Sequence, residues 1–78
     1  MKAVDYYKKK YGNDISKATI HLTKELGEFA GAVEKNNNEL ASYELVEIAG
    51  LCYFLASVYG FDMNKKLEEV YTKKLEKV

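Results

Sequence analysis

From Leu40 to Phe61 the chain contains no lysine or arginine, yet Glu44 and Glu47 stand inside that stretch among apolar residues. Ala41, Leu45, Ile48, Leu51, Cys52, Leu55 and Tyr59 recur at helical spacing, which predicts one long helix from about Glu39 to Tyr59. Phe54 and Val58 lie well away from the Ile48–Leu55 line, so the apolar arc covers more than half the helix circumference. At 100° per residue, Glu44 sits about 40° and Glu47 about 100° from Ile48, on the side shared by Leu51, Phe54 and Val58. An ionised carboxylate in such an arc has to be paired, coordinated or neutralised. This helix carries no cation that could do it.

The preceding segment predicts a matching helix. Asn13 or Asp14 can cap a start near Ile15, and Ile15, Ala18, Leu22, Leu26, Phe29 and Val33 follow in steps of three and four. Asn36-Asn37-Asn38 suits a tight turn, and a connection that short makes the two helices antiparallel. Gly60 is a stop signal, and Asp62 caps a further helix running from Met63 to the end with Leu67, Val70 and Leu75 as its apolar positions. The first dozen residues read as a short leading helix that makes contact through Val4 and Tyr7. The expected fold is all-α: one domain over residues 1–78, an antiparallel hairpin with short flanking helices.

A chain of 78 residues buries only about 60% of its unfolded surface and needs a supplement to its core. Cys52 is the only cysteine, so an internal disulfide is excluded; metal and self-association remain. The broad apolar arc of the second long helix points to a homodimer or homotetramer, completing a helical bundle. Twelve basic against twelve acidic side chains argue against a nucleic-acid partner. No apolar run follows the N-terminal lysines, as a signal peptide would require. The longest apolar stretch, Ile48 to Phe61, falls short of a membrane span. A lone cysteine fits the reducing cytoplasm.

The chemistry concentrates in two pairs of glutamates. Glu25 and Glu28 on the first long helix, and Glu44 and Glu47 on the second, each have i, i+3 spacing and project from one flank. Glu25 lies about 60° and Glu28 about 120° from the Leu22–Leu26–Phe29 seam. Acidic pairs at this spacing are ordinarily solvated or bridged to lysine, as Glu34 and Glu68-Glu69 are expected to be. Two pairs facing each other across a hairpin, one of them within an apolar arc, call for a divalent cation. Oxygen-only ligation selects a hard ion, Mg²⁺ with Mn²⁺ as the alternative, and Mg²⁺ commonly shares its shell with substrate phosphates. His21, one turn before Glu25, is placed to ligate metal, to stack on a base or to pair with a carboxylate. Cys52 is expected in the core. Tyr43, Tyr53 and Tyr59 fit either a base pocket or subunit packing, and Tyr6, Tyr7 and Tyr11 are positioned to close over the site.

The segment HLTKELGEFAGAVEKNNNELASYELVEIAGLCYFLASVYGFDM, with Glu25-x-x-Glu28, Glu44-x-x-Glu47 and then Gly60-Phe61-Asp62, resembles the MazG-like family of all-α nucleoside triphosphate pyrophosphohydrolases. The likeness spans roughly residues 15–77. It departs from the family at position 47, where glutamate replaces aspartate, and in the tail VYTKKLEKV, where only lysines are offered to a substrate. The resemblance implies cleavage of a nucleoside triphosphate to monophosphate and pyrophosphate. Glu25, Glu28, Glu44 and Glu47 would hold Mg²⁺, with Glu28 orienting or deprotonating water. His21, Lys24, Lys73, Lys74 and Lys77 would be the candidates for substrate contact. Two other readings fit the same residues: a phosphoribosyl-ATP pyrophosphohydrolase-like enzyme, or a non-catalytic helical oligomerisation module.

Overall fold

Side-chain caps divide the chain into four helices. In the computed structural model, which describes residues 1–78, α1 spans Lys2–Tyr11, α2 Ile15–Glu34, α3 Asn38–Tyr59 and α4 Met63–Glu76, with no strand. Asp14 accepts a hydrogen bond from the Lys17 amide at 2.9 Å, Asn37 from the Leu40 amide at 3.1 Å and Asp62 from the Lys65 amide at 3.2 Å. Each satisfies a donor that the first helical turn leaves unpaired. Gly60 ends α3 at φ 81°, a left-handed conformation that glycine adopts without steric cost. Asn36 takes φ 56° in the α2–α3 turn, a role that asparagine fills better than most side chains.

The α2–α3 hairpin is the body of the molecule, and α1 lies across α3. Gly50 makes that crossing possible: a Cβ there would stand 3.3 Å from the Ala3 Cβ and 3.5 Å from the Tyr7 ring. The core is small. Tyr7, Ala18, Leu51 and Phe54 form its centre, with Tyr11, Leu22, Leu55 and Val58 packed around them.

The hairpin seam is rotated from the expected one. Leu26, Val33, Leu45 and Tyr59 are exposed, whereas α2 buries Ala18, Glu25 and Ala32 and α3 buries Glu44, Leu51 and Phe54. On α2 the shift amounts to about 60° toward the Ala18–Glu25–Ala32 line, where small side chains let the helix backbones approach. Glu25, expected beside the seam, therefore lies within it. Cys52 is only half-buried, outside the core centre to which the sequence assigned it.

Helix α4 touches α3 near its start, and every residue from Asn64 onward is exposed, including Leu67, Val70 and Leu75. The radius of gyration is 14.2 Å, against about 11.5 Å for a compact chain of this length. The accessible surface is 6029 Å², where a compact monomer of 8.9 kDa would expose about 4,800 Å². At 22 residues, α3 is also long and apolar enough to cross a membrane by length and composition, longer than the stretch the sequence suggested. Its Glu44 side is packed inside the chain.

Candidate metal centre

The four glutamates lie along α2 and α3 in three different environments. Glu44 is 4% exposed and Glu25 7% exposed, Glu47 is half-buried, and Glu28 stands at the exposed edge. Carboxylate oxygens of Glu25, Glu28 and Glu44 lie within 4.8 Å of one another, as do ligand atoms of His21, Glu25 and Glu47. In an octahedral shell with bonds of about 2.1 Å, neighbouring ligand atoms are about 3 Å apart and opposite ones about 4.2 Å. Three atoms no more than 4.8 Å apart share a centre no more than about 2.8 Å from each, so modest side-chain movement would close either set on an ion.

None of the four carboxylates is paired with a lysine. The side-chain ion pairs are His21 Nε2 to Glu25 Oε1 at 3.4 Å and, remote from the site on α4, Lys66 to Glu69 at 3.9 Å. Glu44 Oε2 is buried and has no hydrogen-bond partner at all, a state that native proteins rarely tolerate in a polar group. The Glu44 carboxyl is pushed up to about 7, first because it lies close enough to Glu25 for hydrogen bonding across the pair, then by burial and by the negative charges of Glu25 and Glu28. Near neutrality a proton on Glu44 relieves part of the charge that a cation would neutralise fully. The donor set, the orphaned oxygen and the missing lysines all fit a divalent ion held by Glu25, Glu28 and Glu44.

Helix α1 completes the site from the other side. Tyr7 donates to Glu47 Oε2 at 3.2 Å. Its phenol is pushed well above the usual range by burial, by the charge of Glu47 and by that hydrogen bond, with smaller contributions from Tyr6 and Glu25. Tyr11 Oη and His21 Nδ1 are hydrogen-bonded at 2.8 Å. The Tyr7 and Tyr11 rings stack in parallel with centroids 6.1 Å apart, and the His21 ring meets both edge-on at 5.9 Å. Of the leading tyrosines, Tyr7 and Tyr11 reach the site, while Tyr6 remains exposed and packs edge-on against Tyr7.

A cleft of about 330 Å³ opens beside His21, lined by Lys10, Tyr11, Lys17, Ile20, His21 and Lys24. Lys24 was a sequence candidate. Lys10 and Lys17 were not, because nothing in an isolated helix pattern brings α1 and the start of α2 to one mouth. A second cleft, of about 360 Å³, borders Glu28 and Glu44 with Lys35 and Leu40. Lys73 and Lys74 lie exposed on α4 and Lys77 just past its end; α4 does not pack on α2, and within one chain these lysines are not brought to the carboxylates. Tyr53 bonds to Asn64 at the α3–α4 corner, Tyr59 is exposed, and Tyr43 lines a cleft with Tyr6, Tyr7 and Glu47.

Protein-family models, curated proteins and solved structures give no match to this chain. The fold and the site define its class directly: an all-helical chain with a carboxylate–histidine cluster held between two antiparallel helices and roofed by tyrosines.

Proposed function

We propose that the protein is a Mg²⁺- or Mn²⁺-dependent hydrolase that cleaves a nucleoside triphosphate to monophosphate and pyrophosphate. The observation that carries this reading is the convergence of Glu25, Glu28 and Glu44 in a partly dry site with one buried oxygen unpartnered and no lysine ion-paired to them. The likeness of the two glutamate motifs to those of MazG-like enzymes supplies the reaction class.

Glu25 and Glu44, fixed by burial, would hold the ion, with Glu28 at its open side and Glu47 nearby. A bound Mg²⁺ would screen the triphosphate and acidify an attacking water. Glu28 is the exposed member of the set, so its carboxylate is free to orient that water and accept its proton. Lys10, Lys17 and Lys24 at the neighbouring cleft would meet phosphate oxygens, and the Tyr11–His21 face would take the apolar part of the nucleoside. The half-buried, unpaired Cys52 suits a reducing compartment such as the cytoplasm.

A homodimer or homotetramer belongs to the same proposal. The chain exposes about 1,200 Å² more than a compact monomer of its mass, whereas each partner in a standard interface buries about 800 Å². The excess includes the apolar residues Leu26, Val33, Leu45, Leu67 and Val70. Pairing through α4 is also the route by which Lys74 and Lys77 of a second copy would reach the carboxylates.

The test is pyrophosphate release from a panel of canonical and modified nucleoside triphosphates, with wild type and Glu28→Gln. Metal-dependent release from at least one of them, lost in Glu28→Gln, is expected. No turnover across the panel with metal binding intact would leave the helical self-association module as the reading.

A further inference from the structure

The two ligand sets around Glu25 differ in chemistry. Glu25, Glu28 and Glu44 offer oxygen alone, whereas the other set adds the imidazole of His21, the only histidine in the chain, to Glu25 and Glu47. We infer that Glu25 bridges two cation positions, and that the His21–Glu25–Glu47 position takes a first-row transition-metal dication rather than Mg²⁺. This inference rests on the reading of Glu25 as a cation ligand.

Three observations carry it. First, the set is already assembled, with its ligand atoms within 4.8 Å of one another and Nε2 of His21 directed to Glu25 Oε1 at 3.4 Å. Second, each ligand that this position adds is held from behind by a tyrosine of α1. Tyr11 binds Nδ1 of His21 at 2.8 Å, which leaves Nε2 as the ligating nitrogen, and Tyr7 holds Glu47 Oε2 at 3.2 Å. Metal-bound histidines characteristically have their second nitrogen fixed in this way. Third, the adjoining position contains the buried, unpartnered Glu44 Oε2, so a cation is called for at the centre that Glu25 shares. Imidazole is a good ligand for Fe²⁺, Co²⁺, Ni²⁺ and Zn²⁺ and a poor one for Mg²⁺. One carboxylate thus joins a hard-ion position to a borderline one.

The experiment titrates the whole protein with Co²⁺ in buffer saturated with Mg²⁺, following heat, visible absorption and the proton resonances of the single imidazole. Wild type should take up one Co²⁺ per chain, show d–d bands without a thiolate charge-transfer band, and display hyperfine-shifted His21 signals. His21→Gln should weaken Co²⁺ binding at least tenfold and leave the Mg²⁺-induced rise in melting temperature unchanged. Tyr11→Phe, which keeps the ring but not the hydroxyl, should weaken Co²⁺ about tenfold and serves if His21→Gln fails to fold. Glu44→Gln should lose the Mg²⁺ response and keep the Co²⁺ spectrum. Unchanged Co²⁺ affinity in His21→Gln or Tyr11→Phe, or a charge-transfer band assigning the ion to Cys52, overturns the inference. Mg²⁺ binding without Co²⁺ uptake overturns it while leaving the carboxylate site standing. Failure to bind either ion removes both.

Discussion

Replacing Glu44 by glutamine separates two effects that a purely structural carboxylate would not combine. The substitution keeps the shape of a side chain that is 4% exposed and removes a charge set against Glu25 and Glu28. Without metal, the variant should therefore melt higher than wild type at pH 8, where wild type holds the full cluster of negative charge. With metal, the order should reverse. A ligand that binds only the native state stabilises it by about 2.7 kcal/mol at 100 times its dissociation constant. A domain of this size gains about 4–8 °C per kcal/mol, so saturating Mg²⁺ should raise the wild-type melting temperature by about 11–22 °C. Glu44→Gln should show little of that rise. The assay is circular dichroism melting at 222 nm with and without Mg²⁺, at one protein concentration because assembly also shifts the midpoint. A variant that keeps the full Mg²⁺ rise, or a wild type that shows none at millimolar Mg²⁺, would refute the reasoning.

Further predictions follow from the same geometry. The Glu44 carboxyl is pushed up to about 7 in the folded chain from an ordinary value of 4.5, so the native state holds its proton more tightly than the unfolded state. Its contribution to stability is thus fully present below about pH 4.5 and lost as pH rises through 7. Without metal, wild type should melt progressively lower across that window and Glu44→Gln should not; with Mg²⁺, whose ligands must be ionised, the metal-induced rise should widen with pH. Leu51→Ala empties the centre of a core with few fully buried side chains and should cost about 2–5 kcal/mol. For so small a chain that is most of its stability, measurable by urea titration. Gly50→Val places branched carbons where a single Cβ would already stand 3.3 Å from Ala3. It should lift α1 from α3, speeding amide exchange in α1 and weakening the His21–Glu25–Glu47 position more than the Glu25–Glu28–Glu44 one.

The parts of the fold that depend on local chemistry were legible in the residues. Asp14 (one of two candidates, with Asn13), Gly60 and Asp62 mark helix boundaries through hydrogen bonds and backbone conformations that act over three or four residues, and the asparagine run marks the turn in which Asn37 proves to be the cap. The two glutamate pairs stood out by their i, i+3 spacing on adjacent helices, and the second also because lysine and arginine are missing from α3. What the pattern misplaced was the face of α2 that meets α3: the Leu22–Leu26–Phe29 seam was expected, and the Ala18–Glu25–Ala32 line is buried instead. Leu26 and Val33 are more apolar than Ala18 and Ala32 yet stay exposed, because the small side chains allow close helix approach. The same rotation carries Glu25 into the seam. That α1 packs through Tyr7 was legible, but its partners were not: the crossing turns on Gly50 and on Tyr7 and Tyr11 finding Glu47 and His21, contacts that join residues 10 to 40 positions apart. Lys10 and Lys17 reach the cleft only as a consequence of that docking.

The claim on which everything else depends is that acidic side chains of α2 and α3 jointly grip a dication, and Mn²⁺ makes it directly visible. In an electron paramagnetic resonance titration, the six-line signal of free Mn²⁺ should be suppressed until at least one ion per chain is bound. The suppression should be lost in a chain carrying both Glu25→Gln and Glu44→Gln. A free-ion signal that grows in proportion to added Mn²⁺ from the first addition, in folded wild-type protein, would contradict it.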